Sequence, residues 1–248
     1  MSEAAGSHHS PLAQFEVHPF IPLRIGHFDV SFTNASLWLV IAFASIIVIM
    51  LAGARQQKLV PGRWQSFAEA TAGFVGGIVE DTAGTEAMPY FPLIFSLFMF
   101  ILACNMVGML PYSFTVTSHI IVTFALAACV FCGCTLLAIF KHGPVKFLKF
   151  FVPHGLPLIM APLMFPIEIL SYLARPISLS LRLAINMMVG HTLMKVIAGF
   201  VFMLGLWGAF PVAFLVVLTG FEIGIALLQA YIFTILTCVY LNDALHLH

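Results

Sequence analysis

The chain has 248 residues, 61% of them hydrophobic and only 8% charged, and its ten Lys and Arg are balanced by ten Asp and Glu. Soluble domains carry about 25% charged residues, so the composition excludes an ordinary water-soluble fold and points to an integral membrane protein. A formal net charge of zero leaves no electrostatic footprint for nucleic acid, and the length suits a single helical membrane domain over 1–248.

Residues 1–34 are polar and proline-containing, without a basic stretch leading into a short apolar run, so an external segment is expected there and not a removable signal peptide. Ala35–Ala54 carries no charge for twenty residues, enough to span a hydrocarbon core of roughly 30 Å as helix 1. Segment 66–88 mixes Glu69, Glu80, Asp81 and Glu86 with Phe67, Phe74, Val75, Ile78 and Val79. Four carboxylates argue against crossing, so it is expected to be an amphipathic helix on the membrane surface. Segments 90–110 and 119–140 are the next two spans, joined by a short uncharged turn. Arg55, Lys58 and Arg63 precede them and Lys141, Lys146 and Lys149 follow, which puts both basic loops on the cytoplasmic or matrix side and the N-terminus outside.

The last third differs. Segments 156–210 and 211–241 are apolar over 55 and 31 residues. At about 1.5 Å per residue even the shorter reaches about 46 Å, too long for an upright crossing, so a strongly tilted helical hairpin is expected, bent by Pro162, Pro166 and Pro176. The fold class is therefore all-α, with about five membrane helices and one surface helix.

Between Phe151 and Tyr240 the only Lys, Arg, Asp or Glu are Glu168, Arg175, Arg182, Lys195 and Glu222. Arg182 cannot shed its proton, and placing it near a bilayer centre costs about 2.5 kcal/mol or much more, so it needs a functional reason. Glu168, Arg175 and Arg182 are seven apart and drift only about 20° per step, sharing one helix face with Asn186 nearby, whereas His191 points the other way. Glu222 and Gln229 share a face of the last helix, with Tyr240 nearly in line. In an antiparallel hairpin turning near 205–211, His191 and Glu222 lie near the turn, and Glu168 and Asp243 near the open end. That gives one titratable pair toward each side with Arg182 between, which suits two offset proton half-channels. A mobile carboxylate on a partner must then carry the proton past the arginine. Glu168 and Arg175 have a second reading as a local structural pair.

Other features have plainer readings. Lys195 reads as snorkelling to the outer interface, Gly220 and Gly224 as close helix packing, and Asn105 as tying a helix end in preference to lining the path. Cys129-Val-Phe-Cys132 reads as buried small hydrophobes. No internal repeat suggests a secondary transporter, no second deep histidine a haem carrier, and no HExxH a protease.

The stretch Leu181-Arg182-Leu183-Ala184-Ile185-Asn186-Met187-Met188-Val189-Gly190-His191, preceded by Arg175-Pro176-Ile177-Ser178-Leu179, resembles the signature of subunit a of the F-type ATP synthase. Asn105–Thr115, Leu228–Phe233 and Phe15–Pro19 are similar to further family segments, so the resemblance runs along nearly the whole chain. It implies a non-catalytic stator subunit without metal or cofactor, in which Arg182 faces a ring of c subunits bearing a membrane carboxylate. Asn186, His191 and Glu222 would line the proton inlet and Glu168 the outlet. From its place near the open end Asp243 is grouped with the outlet, with Arg175, Gln229, Asn105 and Tyr240 in support, and the sides of Asn105 and Asp243 stay open. The implied partners are the c-ring, b-type peripheral stalk subunits, the F1 sector through the complex, and lipid; the transported ion is H+. His191 with Glu222 is the mitochondrial-type arrangement, while the long N-terminal stretch favours a bacterial plasma membrane over a mitochondrial inner membrane.

Overall fold

The computed structural model describes residues 19–22, 24–25, 28–29, 31–54, 61–110, 113–144, 146–147 and 161–246. Among the described residues six long helices dominate: α1 (Asn34–Ala54), α2 (Arg63–Ala83), α3 (Phe91–Gly108), α4 (Ile120–His142), α5 (Ala161–Leu204) and α6 (Ala209–Leu245). The expected start of the long apolar segment at 156, the basic residues Arg55, Lys58 and Lys149, and most of the Phe15–Pro19 stretch lie outside the described residues.

All of these helices except α2 belong to segments long and apolar enough to cross a membrane. Their side chains are turned outward: Ile121 and Phe140 are each 83% exposed and Val48 is 64% exposed. Leaving such side chains in water forfeits about 1.5–3 kcal/mol each, so the surface that covers them is lipid and the chain is a multi-pass membrane protein.

Local sequence accounts for the helix ends. Thr33 Oγ1 accepts the Ser36 amide at 3.4 Å and Asn34 Oδ1 the Ala35 amide at 2.9 Å, capping α1. Gly84 (φ 75°) and Gly143 (φ 83°) occupy the left-handed region just after α2 and α4, where a side chain would be strained. After α3, Ser113 Oγ donates to the Gly108 carbonyl at 2.7 Å, satisfying a helix-end acceptor inside a buried turn, Phe114–Ser118.

Two features add to the expectation. Among the described residues ahead of α1, β1 (Pro19–Ile21) pairs antiparallel with β4 (Phe32–Thr33), and β2 (Arg24–Ile25) with β3 (Phe28–Asp29). The 66–88 helix begins at Arg63 and stops at Ala83, because Gly84 leaves helical geometry and a 3-10 turn containing Pro89 follows over Thr85–Tyr90. Its apolar side is also partly taken up by protein. Val75 and Val79 are fully buried, and Phe74 packs against Phe98 at 6.1 Å and Tyr231 at 5.8 Å between ring centroids.

The chain divides into two compact units, one of 1–51, 99–119 and 183–230, the other of 52–98, 120–182 and 231–248. In the first, the 3-10 turn Gly205–Gly208 reverses the chain, and partners then run backward along α6 as they advance along α5: Asn186 meets Gln229 and Met194 meets Thr219. This is an antiparallel hairpin, whose second helix continues to Leu245 and so includes Asp243.

At 37 residues α6 is about 55 Å long, nearly twice the hydrocarbon thickness. We expect its axis to incline well beyond the usual average of about 20° from the membrane normal. Oriented-sample solid-state NMR of backbone-labelled protein in bilayers measures that angle, and an upright α6 would contradict the expectation.

Candidate functional site

The densest polar cluster in the first unit is built where α5 passes α6. Glu222 is only 4% exposed, and its Oε1 stands 3.7 Å from His191 Nε2, within ion-pair range but too long for a hydrogen bond. Both Glu222 oxygens and His191 Nε2 lack hydrogen-bond partners among the described residues. The space for this carboxylate comes from Gly190: a methyl group there would sit 2.5 Å from Oε1 and 2.9 Å from Cδ. An α-helix places residue 190 beside 191, so the histidine and the gap that admits its partner come from adjacent positions.

Two turns along α6 from Glu222, the fully buried Gln229 accepts a hydrogen bond from Asn186 Nδ2 at 3.3 Å. Between these levels, Asn105 of α3 donates from Nδ2 to the Ala226 carbonyl at 3.3 Å. Asn105, in the last turn of α3, thus ties that helix end to the middle of α6. Gln229 Nε2 and Asn105 Oδ1 have no hydrogen-bond partner among the described residues. Glu222, Ala226 and Gln229 are four and three residues apart, so the polar groups form a ladder about 10 Å long on one face of α6. Buried polar atoms left open at this density call for water or a transferred proton, since each costs about 1–3 kcal/mol unsatisfied.

The second unit carries Glu168, Arg175, Arg182 and Asp243. Arg175 Nη1 bonds Asp243 Oδ2 at 2.9 Å, and its guanidinium lies 5.9 Å from the Tyr172 ring centroid. The Tyr172 hydroxyl is 2.9 Å from Thr135 Oγ1 on α4, and Tyr240 is buried. Arg175 therefore pairs with Asp243 and not with Glu168, which is half-buried and has no ion-pair partner among the described residues. Seven-residue spacing gives two groups a common face but separates them by about 10 Å along the axis; only positions three or four apart touch.

Arg182 is exposed, with Ser178, Leu181 and Ile185 exposed at helical spacing beside it. Among the described residues no carboxylate pairs with it. Lys195 is exposed as well. All five cysteines are free; Cys104 and Cys238 are buried, but Cys129 and Cys132 are exposed on α4, correcting the expectation that both are interior. They face outward because an apolar helix in lipid need not hide its small hydrophobes. No group of three or more His, Cys, Asp or Glu among the described residues could hold a metal.

Gly190, Tyr172 and Thr135 are contributors that sequence reasoning missed. Tyr172 precedes Arg175 by three residues, a spacing that could have flagged it. Thr135 had no signal, because its partner lies 37 residues away.

Residues 35–242 match the family described as ATP synthase A chain. The chain is 54% identical to ATP synthase subunit a of Pelagibacter ubique over 96% of its own length and 98% of that protein. It is 54% identical to ATP synthase subunit a of Parvibaculum lavamentivorans, covering 95% and 93% respectively. The corresponding protein of Paramagnetospirillum magneticum is 49% identical, with 96% and 99% covered.

The close fit at Gly190 has a measurable consequence. Gly190→Ala should destabilise the detergent-solubilised protein by about 1–3 kcal/mol, because the Glu222 carboxylate must move. Gly199→Ala, where nothing lies within 4 Å, serves as the control and should not lower Tm. Glu222→Gln keeps the shape and removes a buried ionisable group, so its Tm should match or exceed wild type. Equal Tm values for Gly190→Ala and Gly199→Ala would contradict the packing argument.

Proposed function

The chain belongs to the ATP synthase A chain family, and we propose that it is the stator proton-channel subunit of an F-type ATP synthase, with two offset half-channels separated by Arg182. The observation that carries this reading is the buried Glu222–His191 pair at 3.7 Å, with its hydrogen-bonding capacity open. A carboxylate and an imidazole so placed can exchange a proton directly or through one water. From there the open atoms of Asn105 and Gln229 offer successive stations toward Asn186.

Arg182 closes the relay. A guanidinium neither gives up its proton nor accepts another, so protons cannot hop through it. Its exposure on an apolar helix, without a carboxylate partner among the described residues, is met, in this reading, by the membrane carboxylate of a c subunit. The arginine draws each arriving carboxylate into its ionised form, releasing the proton toward the outlet at Glu168. The inlet then reprotonates the carboxylate before it turns into lipid. Proton flow and ring rotation are coupled because neither can proceed alone.

The subunit is thus non-catalytic and works with a c-ring, b-type stalk subunits and, through them, F1. It sits in the bacterial plasma membrane with its N-terminus outside, transporting H+.

Arg182→Ala should abolish ATP-driven proton pumping in inverted vesicles carrying the whole complex and should raise passive proton leak. Arg182→Lys should fail also, lacking the planar fork and being able to lose its proton when desolvated. Pumping is read with a pH-sensitive dye, and a normal signal from an assembled Arg182→Ala complex would refute the coupling role. Glu222→Gln and His191→Ala should slow pumping about 10²-fold or more, the usual scale of a lost proton-transfer group, with normal amounts of subunit in the membrane. Wild-type rates in both would remove the pair from the path.

A further inference from the structure

We propose that Thr135, Tyr172, Arg175 and Asp243 form a brace across the break that Pro176 makes in the hydrogen-bond ladder of the otherwise continuous helix α5, and that this brace sets the direction of Arg182. In it Asp243 is the fixed counter-ion of Arg175 and not a proton carrier. This rests on the proton-channel reading above and concerns how that channel's arginine is held.

Pro176 has no amide hydrogen, so the Tyr172 carbonyl loses its helical donor, and the pyrrolidine ring crowds the same carbonyl. Helix α5 is consequently weakened over 172–176, as prolines inside a helix are a usual cause of bending. The anchors fall on this stretch. Tyr172 reaches α4 through Thr135 at 2.9 Å, and Arg175 reaches α6 through Asp243 at 2.9 Å. The guanidinium over the Tyr172 ring, at 5.9 Å, joins the two anchors into one unit. Three helices are therefore tied together at one of the two places, Pro166 and Pro176, where the backbone of α5 loses a hydrogen bond.

Arg182 lies seven residues beyond Arg175, about 10 Å along the axis and within about 20° of the same azimuth. A bend of about 10° at the break would move it by roughly 2 Å, and displacements of about 1 Å already cost on the order of 10²-fold in positioned chemistry. Rigidity at Pro176 thus bears directly on the arginine. Asp243 cannot serve freely as a relay as well, because its near oxygen already accepts a charge-assisted hydrogen bond from a group with no proton to release. Glu168, without an ion-pair partner among the described residues, is left as the outlet carboxylate.

The test uses the assembled complex in inverted vesicles, with Asp243→Asn, Arg175→Gln and the exchanged pair Arg175→Asp with Asp243→Arg. Both members of the pair are about one-third exposed, so each single change should lower pumping about tenfold, less than a fully buried pair would. The exchanged pair should recover most of the loss, and Tyr172→Phe should lower pumping less than either charge removal. The pH profile of pumping should be the same in Asp243→Asn as in wild type. Wild-type pumping in both singles, no recovery by the exchange in complexes with normal subunit content, or a shifted pH profile in Asp243→Asn would each overturn the brace; a shifted profile would identify Asp243 as a carrier. Arg182→Ala in the same vesicles reports separately on the underlying reading, since normal pumping there defeats the channel whatever the exchange does.

Discussion

A charge inside a helix that crosses lipid must be answered within the protein, at a protein surface, or by reaching water, because hydrocarbon solvates nothing polar. The five charges between Phe151 and Tyr240 meet that constraint in different ways. Glu222 is buried beside His191, and Arg175 is matched by Asp243. Lys195 is exposed and long enough to snorkel, and Glu168 is half-buried. Arg182 is exposed and has no carboxylate partner among the described residues. A rotating carboxylate is the answer that the proposed function supplies.

The two polar clusters differ in how far their hydrogen bonds are completed. Around Asp243 the partners are close and matched, with two contacts at 2.9 Å. Such an arrangement holds position. Around Glu222 the contacts are long, and several buried atoms have no partner among the described residues. A group that must gain and lose a proton cannot be locked into one pattern of donors and acceptors, so the openness of this cluster suits transfer as well as the closure of the other suits support.

Small and cyclic residues place these clusters. Gly190 yields the volume that the Glu222 carboxylate occupies, a close approach that any side chain would obstruct. Pro176 removes a backbone hydrogen bond two turns from Arg182 and makes side-chain support necessary there. The great length of α5 and α6, 44 and 37 residues, spreads the polar positions along a path that a shorter upright hairpin would compress.

The sequence by itself determined the membrane class, the number and approximate limits of the apolar helices, and the identity of the rare charges, because hydrophobicity over twenty residues and the scarcity of ions are properties of composition along the chain. It also indicated the meeting of His191 with Glu222, since a short turn folds two long helices antiparallel and brings positions equidistant from it to the same level. Three matters were decided only by the tertiary structure. Arg175 took Asp243 and not Glu168, because helical phase fixes a common face but cannot say which neighbouring helix lies against it. Val75 and Val79 of the amphipathic α2 were buried in protein, because an apolar face is equally satisfied by lipid or by another helix and sequence does not distinguish them. The reach of Tyr172 to Thr135 was invisible for the same reason: contact between residues 37 positions apart depends on how helices pack, and packing is set by the shapes of all the surfaces at once.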